Sequence, residues 1–267
     1  MPYVSANGIN IFYEVRGKGH PLILLMGLGA DGAAWEVHVA EFEKYFSCYL
    51  IDNRGAGKTD KPEGPYDTVT MANDVLGLMD ALNIEHAHIN GCSLGGMIAQ
   101  EIALTAPQRT DAIVLTASMA KLDNYGISLL RSYLYANEHY PRRQFRQFVN
   151  LTVYSRHYFN SYGEMLVQKE DAAVRNPTPQ PEFAYRAQIE AILAHDSVAR
   201  LSHIKNPCLV YTGDSDFLSP VEHADWMAQT LPKGELCVME DRGHVFHFEE
   251  AERYNRKVVD FLLQQKI

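Results

Sequence analysis

The sequence predicts an α/β protein built on a mostly parallel, twisted sheet with helices on both faces. Short apolar runs typical of buried strands alternate with segments of helical periodicity over most of the chain. Such alternation favours parallel strands joined by right-handed helical crossovers. One long interval without strand-like runs interrupts the alternation, and it predicts an inserted helical segment.

The first element is expected to be an antiparallel hairpin. Residues 3–15 form two short alternating runs around Asn7-Gly8, a pair typical of tight hairpin turns. A continuous apolar run follows at 21–26 and ends in a glycine-rich turn. An uninterrupted apolar run is expected for a strand that helices cover on both faces.

Five further strands and four helices continue the alternation. The strands are expected at 47–52, 87–92, 112–117, 208–212 and 235–239. Helical periodicity predicts helices at 69–82, 94–105, 220–230 and 248–264. We therefore assign residues 1–118 and 201–267 to one core, and residues 119–200, where prolines punctuate helical stretches, to a helical cap.

Composition and charge argue against several classes of partner. The chain has 267 residues, 46% of them hydrophobic, which suffices for one large core. Its net charge of −9 leaves no basic field for a nucleic-acid backbone. No apolar run approaches the roughly 20 residues of a membrane span, and the first residues lack a signal-peptide pattern. We expect no nucleic acid partner, no membrane partner and a cytoplasmic location, and nothing in the sequence predicts the oligomeric state.

A nucleophile motif lies in the middle of the chain. The segment Gly91-Cys92-Ser93-Leu94-Gly95 fits G-x-S-x-G between a predicted strand and a predicted helix. In this context a nucleophilic serine sits on a strained turn with its Oγ exposed at a helix N-terminus. Small neighbours are needed because the backbone bends sharply there. The alternative interpretation of Ser93 is an ordinary serine N-cap.

Two later loops supply the acid and the base that such a serine needs. Asp216 follows one predicted strand, with Asp214 as a rival two residues earlier, and His244 follows the next strand. Both loops lie at carboxyl ends of strands, where an open parallel sheet gathers its active site. The chain order serine, aspartate, histidine is the order this architecture uses. The sequence therefore predicts Ser93 as nucleophile, His244 as general base and Asp216 as the acid that orients the histidine.

Another glycine motif supports a rival function. Residues 27–32 (GLGADG) fit G-x-G-x-x-G after a strand, and Asp52 follows Gly32 by 20 residues at the end of the next strand. Locally this is a dinucleotide-binding fingerprint, so a dinucleotide-dependent oxidoreductase stays open. The ending GAGKT at 55–59 does not complete a P-loop, because Asp52 stands where that motif needs its first glycine.

The chain as a whole resembles the α/β-hydrolases of the capped esterase and lactonase group, enol-lactonase-like members in particular. The resemblance rests on MGLGADGAAW, DNRGAGKTD, NGCSLGGMIAQ, GDSDFLSP and DRGHVFHFEE, and it covers nearly everything outside the predicted cap. It implies the same catalytic triad, together with an oxyanion hole formed by the backbone N–H groups of Leu28 and Leu94. Many relatives carry histidine at the position of Met26, so the loop beside this hole departs from the family pattern.

The expected activity is hydrolysis of a carboxylic ester or lactone of a small to medium apolar substrate through an acyl-enzyme. Serine at position 93 argues against dehalogenase and epoxide-hydrolase chemistry, whose nucleophile is aspartate. Thioesterase and C–C bond hydrolase chemistry stay open because the same triad serves them. A receptor that keeps the scaffold without turnover also stays open.

No cofactor and no metal are expected. His244 and His247 lie one helical turn apart, but no third ligand cluster accompanies them, and the other histidines have no motif around them. The four cysteines form no CxxC pair and are expected to be reduced and buried. Ten aromatic residues at 125–162 are expected mainly to pack the cap onto the core, with a few lining an apolar pocket.

Overall fold

An eight-stranded sheet runs through the chain in the computed structural model, which describes residues 3–175 and 179–265. The strands are β1 Tyr3–Ala6, β2 Ile9–Arg16, β3 His20–Leu25, β4 Phe46–Ile51, β5 Ala87–Cys92, β6 Thr110–Thr116, β7 Cys208–Gly213 and β8 Gly234–Met239. Their spatial order is β1-β2-β4-β3-β5-β6-β7-β8. The pairs β1–β2 and β2–β4 are antiparallel and all later pairs are parallel, which confirms the predicted mostly parallel sheet.

The N-terminal hairpin forms where the sequence predicts it. Asn7 and Gly8 connect β1 to β2 with positive φ angles of 47° and 78°. Positive φ at both central positions gives the tight turn whose twist matches that of the flanking strands. Gly8 adopts this conformation without strain, and asparagine tolerates it better than most residues.

Helices cover both faces of the sheet. They are α1 Glu36–Phe42, α2 Thr68–Ala81, α3 Leu94–Thr105, α4 Asn124–His139, α5 Arg142–Val153, α6 Arg156–Arg175, α7 Glu182–Ala194, α8 Val221–Thr230, α9 Phe246–Glu249 and α10 Ala251–Leu263. Three short 3-10 helices occupy Gly32–Trp35, Pro107–Arg109 and Val198–His203.

Alternation along the strands divides the core into two layers. In β3, Leu22 and Leu24 pack with α1 and α10 on one face, whereas Ile23 and Leu25 pack with α2, α3 and α8 on the other. Successive side chains of a strand point to opposite faces. The continuous apolar run at 21–26 is therefore explained by burial on both sides.

One predicted helix differs from what the structure shows, whereas the predicted inserted segment matches it. The helix expected at 248–264 is divided into α9 and α10 because Glu250 has the non-helical angles φ −134° and ψ 55°. Between β6 and β7, the described part of 119–200 contains α4, α5, α6, α7 and the start of the last 3-10 helix, and no strand. We call α4–α7 the inserted helices; residues 176–178 of the predicted cap lie outside the described residues.

None of the described helices is long and apolar enough to cross a membrane.

All four cysteines are free thiols, and Cys48, Cys92 and Cys208 are buried as expected, whereas Cys237 is half-buried.

Candidate active site

Ser93 stands on a sharp turn between β5 and α3. Its backbone angles are φ 52° and ψ −114°, outside the regions that an L-residue ordinarily adopts. Such a conformation costs about 1–3 kcal/mol and persists only when the surroundings impose it. Here the N–H of Ser93 donates to Thr116 O at 2.8 Å, and Ser118 Oγ donates to Ser93 O at 2.9 Å. The Ser93 side chain makes no capping hydrogen bond to α3, so the N-cap interpretation lacks its defining contact.

Glycines surround Ser93 because other backbone segments pass at close range. A Cβ on Gly91 would lie 2.3 Å from Gly95 O, and a Cβ on Gly95 would lie 2.2 Å from Leu25 O. A Cβ on Gly27 would meet Ser93 Cβ at 3.0 Å. The loop after β3 therefore lies directly against Ser93.

Two backbone N–H groups beside this turn have no acceptor among the described residues. Leu94 is the first residue of α3, and the first N–H groups of a helix have no partner within it. The N–H of Leu28 donates no hydrogen bond within residues 3–175 and 179–265. Its loop is anchored by Asn53 Nδ2, which donates to Met26 O at 2.8 Å. The side chain of Met26 packs in the core, so this departure from the family pattern leaves both backbone donors in place.

His244 and Asp216 form a fixed pair. The Nδ1 of His244 lies 2.8 Å from Asp216 Oδ2, and Asp216 Oδ1 accepts from the N–H groups of Leu218 and Ser219 at 2.8 and 3.0 Å. Both members are almost fully buried, with 6% and 4% of their surface exposed. Asp214 is exposed, and its carboxylate accepts from a neighbouring serine hydroxyl instead. The structure thus pairs Asp216, and not Asp214, with the histidine.

Ser93 and His244 line one cavity of about 360 Å³ below the inserted helices. No hydrogen bond joins Ser93 Oγ to His244 among the described residues; in sites without substrate such contacts are often long and tighten later. Most of the wall is apolar. The inserted helices contribute six residues with largely apolar side chains and two polar ones: Leu130, Tyr133, Val149, Val153, Tyr185 and Ile192, with Arg146 and Asn150.

The aromatic residues at 125–162 contribute less to this cavity than the sequence suggests. Of the ten, all within the described residues, Tyr133 alone lines it. Four are exposed by 45–59% of their surface and neither line the cavity nor pack in the core: Tyr125, Tyr135, Tyr140 and Tyr162. The alternative in which a few of these aromatic residues line the pocket therefore holds for Tyr133 alone. Aliphatic side chains spaced along α4, α5 and α7 face the site instead, and two further aromatic wall residues, Tyr185 and Phe248, lie outside that segment.

A buried neutral pair lies beneath the nucleophile turn. Cys92 Sγ is 3.7 Å from His247 Nε2. Burial, and then the charge of Asp216, raises the pKa of the Cys92 thiol, so this cysteine is protonated and a poor nucleophile. Burial, followed by the nearby His38 and His244, lowers the pKa of His247 far below its usual value. Cys92 is thus a core side chain, as its place in the motif predicts.

Sequence reasoning missed Gln188 of α7. This side chain is fully buried; its Oε1 accepts from Gly29 N at 3.1 Å and its Nε2 donates to Arg54 O at 2.8 Å. It therefore fixes the inserted helices to the loop that carries Leu28. A single glutamine in a helix has no local signal for such a contact.

The rival dinucleotide fingerprint makes different contacts. Asp52 Oδ1 accepts from Gly32 N and Asp52 Oδ2 accepts from Lys58 N, both at 2.7 Å. In a dinucleotide site this carboxylate would face ribose hydroxyls, but here both of its oxygens hold backbone N–H groups. Gly27, meanwhile, lies against Ser93. Gly27 and Gly29 line the cavity beside Ser93, whereas Asp52 fixes the backbone at Gly32 and Lys58.

Comparison with known families agrees with this geometry. The family model described as the alpha/beta hydrolase fold matches residues 20–251. The chain belongs to the α/β-hydrolase fold family. It is a hydrolase of this family, as the resemblance in its motifs predicts.

Similar α/β-hydrolases carry different names. The chain is 31% identical to RutD of Agrobacterium fabrum, named as a candidate carbamate hydrolase, over 94% of this chain and 97% of that one. It is 30% identical to the 2-hydroxy-6-oxo-6-phenylhexa-2,4-dienoate hydrolase of Comamonas testosteroni, over 96% and 92%. The solved enol-lactonase of Burkholderia xenovorans LB400 superposes with a TM-score of 0.88 at 26% identity, over 98% and 100% of the two chains. Family membership therefore leaves the scissile bond open.

Proposed function

We propose that this hydrolase cleaves a carboxylic ester or lactone of a small to medium apolar substrate through an acyl-enzyme on Ser93. One observation carries the proposal: the strained Ser93 turn and the Asp216-bound His244 face the same apolar cavity. A serine held in a costly backbone conformation beside an oriented histidine has the arrangement that nucleophilic catalysis needs.

The first proposed step forms the acyl-enzyme. Neutral His244 accepts the proton of Ser93 Oγ at Nε2 while Oγ attacks the carbonyl carbon. The Nδ1–H of His244 stays donated to Asp216, which fixes the tautomer and stabilises the imidazolium. The imidazolium then gives its proton to the leaving alkoxide, which in a lactone remains tethered to the acyl group.

The second step releases the product. Water gives a proton to His244 while its oxygen attacks the acyl carbonyl carbon. The bond between that carbon and Ser93 Oγ then breaks, His244 returns the proton to Oγ, and the carboxylic acid is released. In both steps the oxyanion is to be held by the N–H groups of Leu28 and Leu94. Each such donor typically contributes about 3 kcal/mol to the stability of the transition state.

We also propose that residues 119–200 act as a cap on a core formed by 1–118 and 201–267. The inserted helices supply much of the apolar wall, and Gln188 fixes α7 against the loop of Gly29. A wall of this kind excludes water from the reacting carbonyl and selects substrates by shape.

Similarity to the Comamonas testosteroni enzyme favours a second candidate, hydrolysis of a C–C bond in a dienoate substrate. The same triad serves both reactions. A substrate panel separates them: p-nitrophenyl butyrate and octanoate, a five-membered enol lactone, a simple carbamate ester and 2-hydroxy-6-oxo-6-phenylhexa-2,4-dienoate. We expect the largest kcat/KM with an ester or the lactone.

The decisive variant is Ser93→Ala. We expect a loss of about 10⁴-fold or more in kcat on every substrate that the wild type hydrolyses, because the nucleophile is removed. Ser202→Ala, which removes an exposed serine hydroxyl, is the matched control and should stay within twofold. A serine-directed phosphonate should label wild type at Ser93, as mapped by mass spectrometry.

Two results would contradict the proposal. Turnover retained in a folded Ser93→Ala variant would remove this serine from the chemistry. Tight binding of panel compounds with neither turnover nor a phosphonate adduct would instead support the receptor alternative. Far-UV circular dichroism and thermal unfolding establish that each variant is folded.

A further inference from the structure

Polar residues also gather at the amino edge of the sheet, the edge opposite Ser93. His20 is the first residue of β3, His88 is the second residue of β5, and Asp111 is the second residue of β6. His86 immediately precedes β5. These strands are neighbours in the sheet, so parallel pairing places the side chains together although they come from three separate parts of the chain.

The cluster is built around the carboxylate of Asp111. Its Oδ2 lies 2.8 Å from His20 Nε2, and its two oxygens lie 2.9 and 2.8 Å from His86 Nδ1. The rings of His20 and His88 meet edge to face with centroids 4.8 Å apart. One ligand atom each from His20, His88 and Asp111 all lie within 4.8 Å of one another.

His88 has no partner for either ring nitrogen. It is fully buried, and neither Nδ1 nor Nε2 makes a hydrogen bond within the described residues. The other described buried histidines each bond through one nitrogen: His38 to Asn255, His195 to Thr68, His244 to Asp216 and His247 to Cys92. A fully unsatisfied buried imidazole is rare in a native protein and indicates a missing partner.

The charge states suit a metal ion. Burial, followed by the nearby His20, lowers the pKa of His88 to about 4, so its ring is neutral at pH 7 and has a free lone pair. Burial alone would raise the pKa of Asp111, but hydrogen bonds from His86 and His20 outweigh it and lower that pKa. Neutral imidazole and ionised carboxylate are the forms that bind metals.

We propose that His20, His88 and Asp111 bind one divalent transition-metal ion, with Zn²⁺ as the preferred ion. Two imidazole nitrogens and one carboxylate oxygen are typical zinc ligands, and a tetrahedral ion takes water as its fourth. The ion replaces the hydrogen bond between His20 and Asp111, and the ring proton of His20 moves to Nδ1. His86 keeps its hydrogen bond to Asp111 and orients that ligand, as partners of metal ligands commonly do.

The geometry allows entry from solvent and requires a small contraction. The side chains of His20 and Asp111 are 15% and 17% exposed, whereas His88 forms the closed inner wall. Ligand atoms at about 2.0–2.1 Å from zinc lie roughly 3.4 Å apart in a tetrahedron, so the cluster must close from its present spacing. Side-chain rotation of the partly exposed His20 and Asp111 supplies that movement.

The proposed ion is structural. Ser93, just past the end of β5, is five positions after His88, which corresponds to about 17 Å at a strand's rise. An ion at this edge cannot touch a substrate at Ser93. It would instead link the starts of β3, β5 and β6, and it is independent of the function proposed above.

The test compares zinc binding by wild type and His88→Leu after removal of metal with EDTA. Leucine fills a similar volume beside Leu22 and Phe46, so this variant should fold as stably as metal-free wild type. Calorimetric titration with ZnCl₂ should give one ion per wild-type chain and at least about 100-fold weaker binding by the variant. His203→Ala removes an exposed histidine and should bind zinc like wild type.

Thermal unfolding provides the second readout. Zinc at 100 times its dissociation constant should raise the wild-type Tm by about 5 °C or more and leave that of His88→Leu unchanged. If His88→Leu does not fold, His20→Gln and Asp111→Asn replace it, and each should show the same loss of zinc affinity. Absence of zinc binding by wild type, or equal binding by a folded cluster variant, would overturn the proposal. Ester hydrolysis measured alongside should be unaffected by zinc at this site.

Discussion

The two edges of the sheet carry different kinds of polar cluster. At the carboxyl edge, Ser93, Asp216 and His244 lie on loops beyond the strands; Ser93 and His244 line a cavity, and Asp216 is buried against His244. At the amino edge, His20 and His88 belong to the strands themselves, and their rings meet edge to face. Loops beyond strand ends can be shaped around a substrate, whereas strand residues are held at the spacing of the sheet. This difference suits one edge to chemistry and the other to a small ion.

The largest expected effect separates two aspartates at the carboxyl edge. Asp216→Asn should lower kcat by about 10⁴-fold, because an amide at Oδ2 no longer fixes the His244 tautomer. Asp214→Asn keeps a similar shape at an exposed position and should change kcat by less than about threefold. Steady-state kinetics on one ester measures both variants. A larger loss of kcat in Asp214→Asn than in Asp216→Asn would make Asp214 the acid and contradict the assignment of Asp216.

Packing at the nucleophile turn gives the next effect. Gly95→Ala places a Cβ 2.2 Å from Leu25 O, and because that oxygen belongs to a central strand, we expect a loss of about 3 kcal/mol in the free energy of unfolding. Gly163→Ala in α6 meets no atom within 4 Å and should stabilise by up to about 1 kcal/mol. Urea titrations compare the two; equal stabilities would show that the turn relaxes freely.

Buried histidines away from both edges should make stability fall on acidification. Burial lowers the pKa of His38 to about 4, although its hydrogen bond with Asn255 acts in the opposite direction. Burial also lowers the pKa of His195 to about 4, although the negative charge of Glu101 opposes this shift. Unfolded histidine has a pKa near 6.5. Between pH 6.5 and 4 the unfolded chain therefore binds more protons than the native protein, and the free energy of unfolding decreases as the pH is lowered. Each residue should contribute a loss of about 2 kcal/mol between pH 6.5 and 5.

Urea titrations at pH 7, 6 and 5 measure this slope, and His38→Gln should reduce it by about one proton. An unfolding free energy that stays constant over this range would show that these rings are protonated in the native protein. Above pH 6.5 the same variant should have no pH-dependent effect. This pH dependence of the free energy of unfolding must be known before a pH effect is assigned to either edge of the sheet.

The smallest expected effect tests the amino edge without metal. Asp111→Asn weakens the hydrogen bonds of His20 and His86 and should lower the free energy of unfolding by about 1 kcal/mol. Because this edge is remote from Ser93, kcat/KM should stay within twofold. Asp260→Asn, at an exposed position of α10, is the control for loss of a charge. A large loss of activity in Asp111→Asn would link the edges and remove the contrast between them.

Much of the fold could be predicted from the sequence because it depends on residues that are neighbours in the chain. The Asn7-Gly8 hairpin, the parallel strands and the glycine-flanked Ser93 depend on local backbone geometry and on alternation along single strands, which consecutive residues encode. The roles of Ser93, Asp216 and His244 stay predictions, although the structure brings the last two into contact and places Ser93 and His244 in the wall of one cavity.

Only the tertiary structure decided the contacts between distant parts of the chain. Gln188 bonds Gly29 across 159 residues, aliphatic side chains outnumber aromatic ones in the cavity wall, and strand register brings His20 beside His88. Such contacts depend on how whole elements pack, and no short pattern records them. Local conformation is determined by a few adjacent residues, whereas the partner of a side chain is determined by the packing of the entire fold.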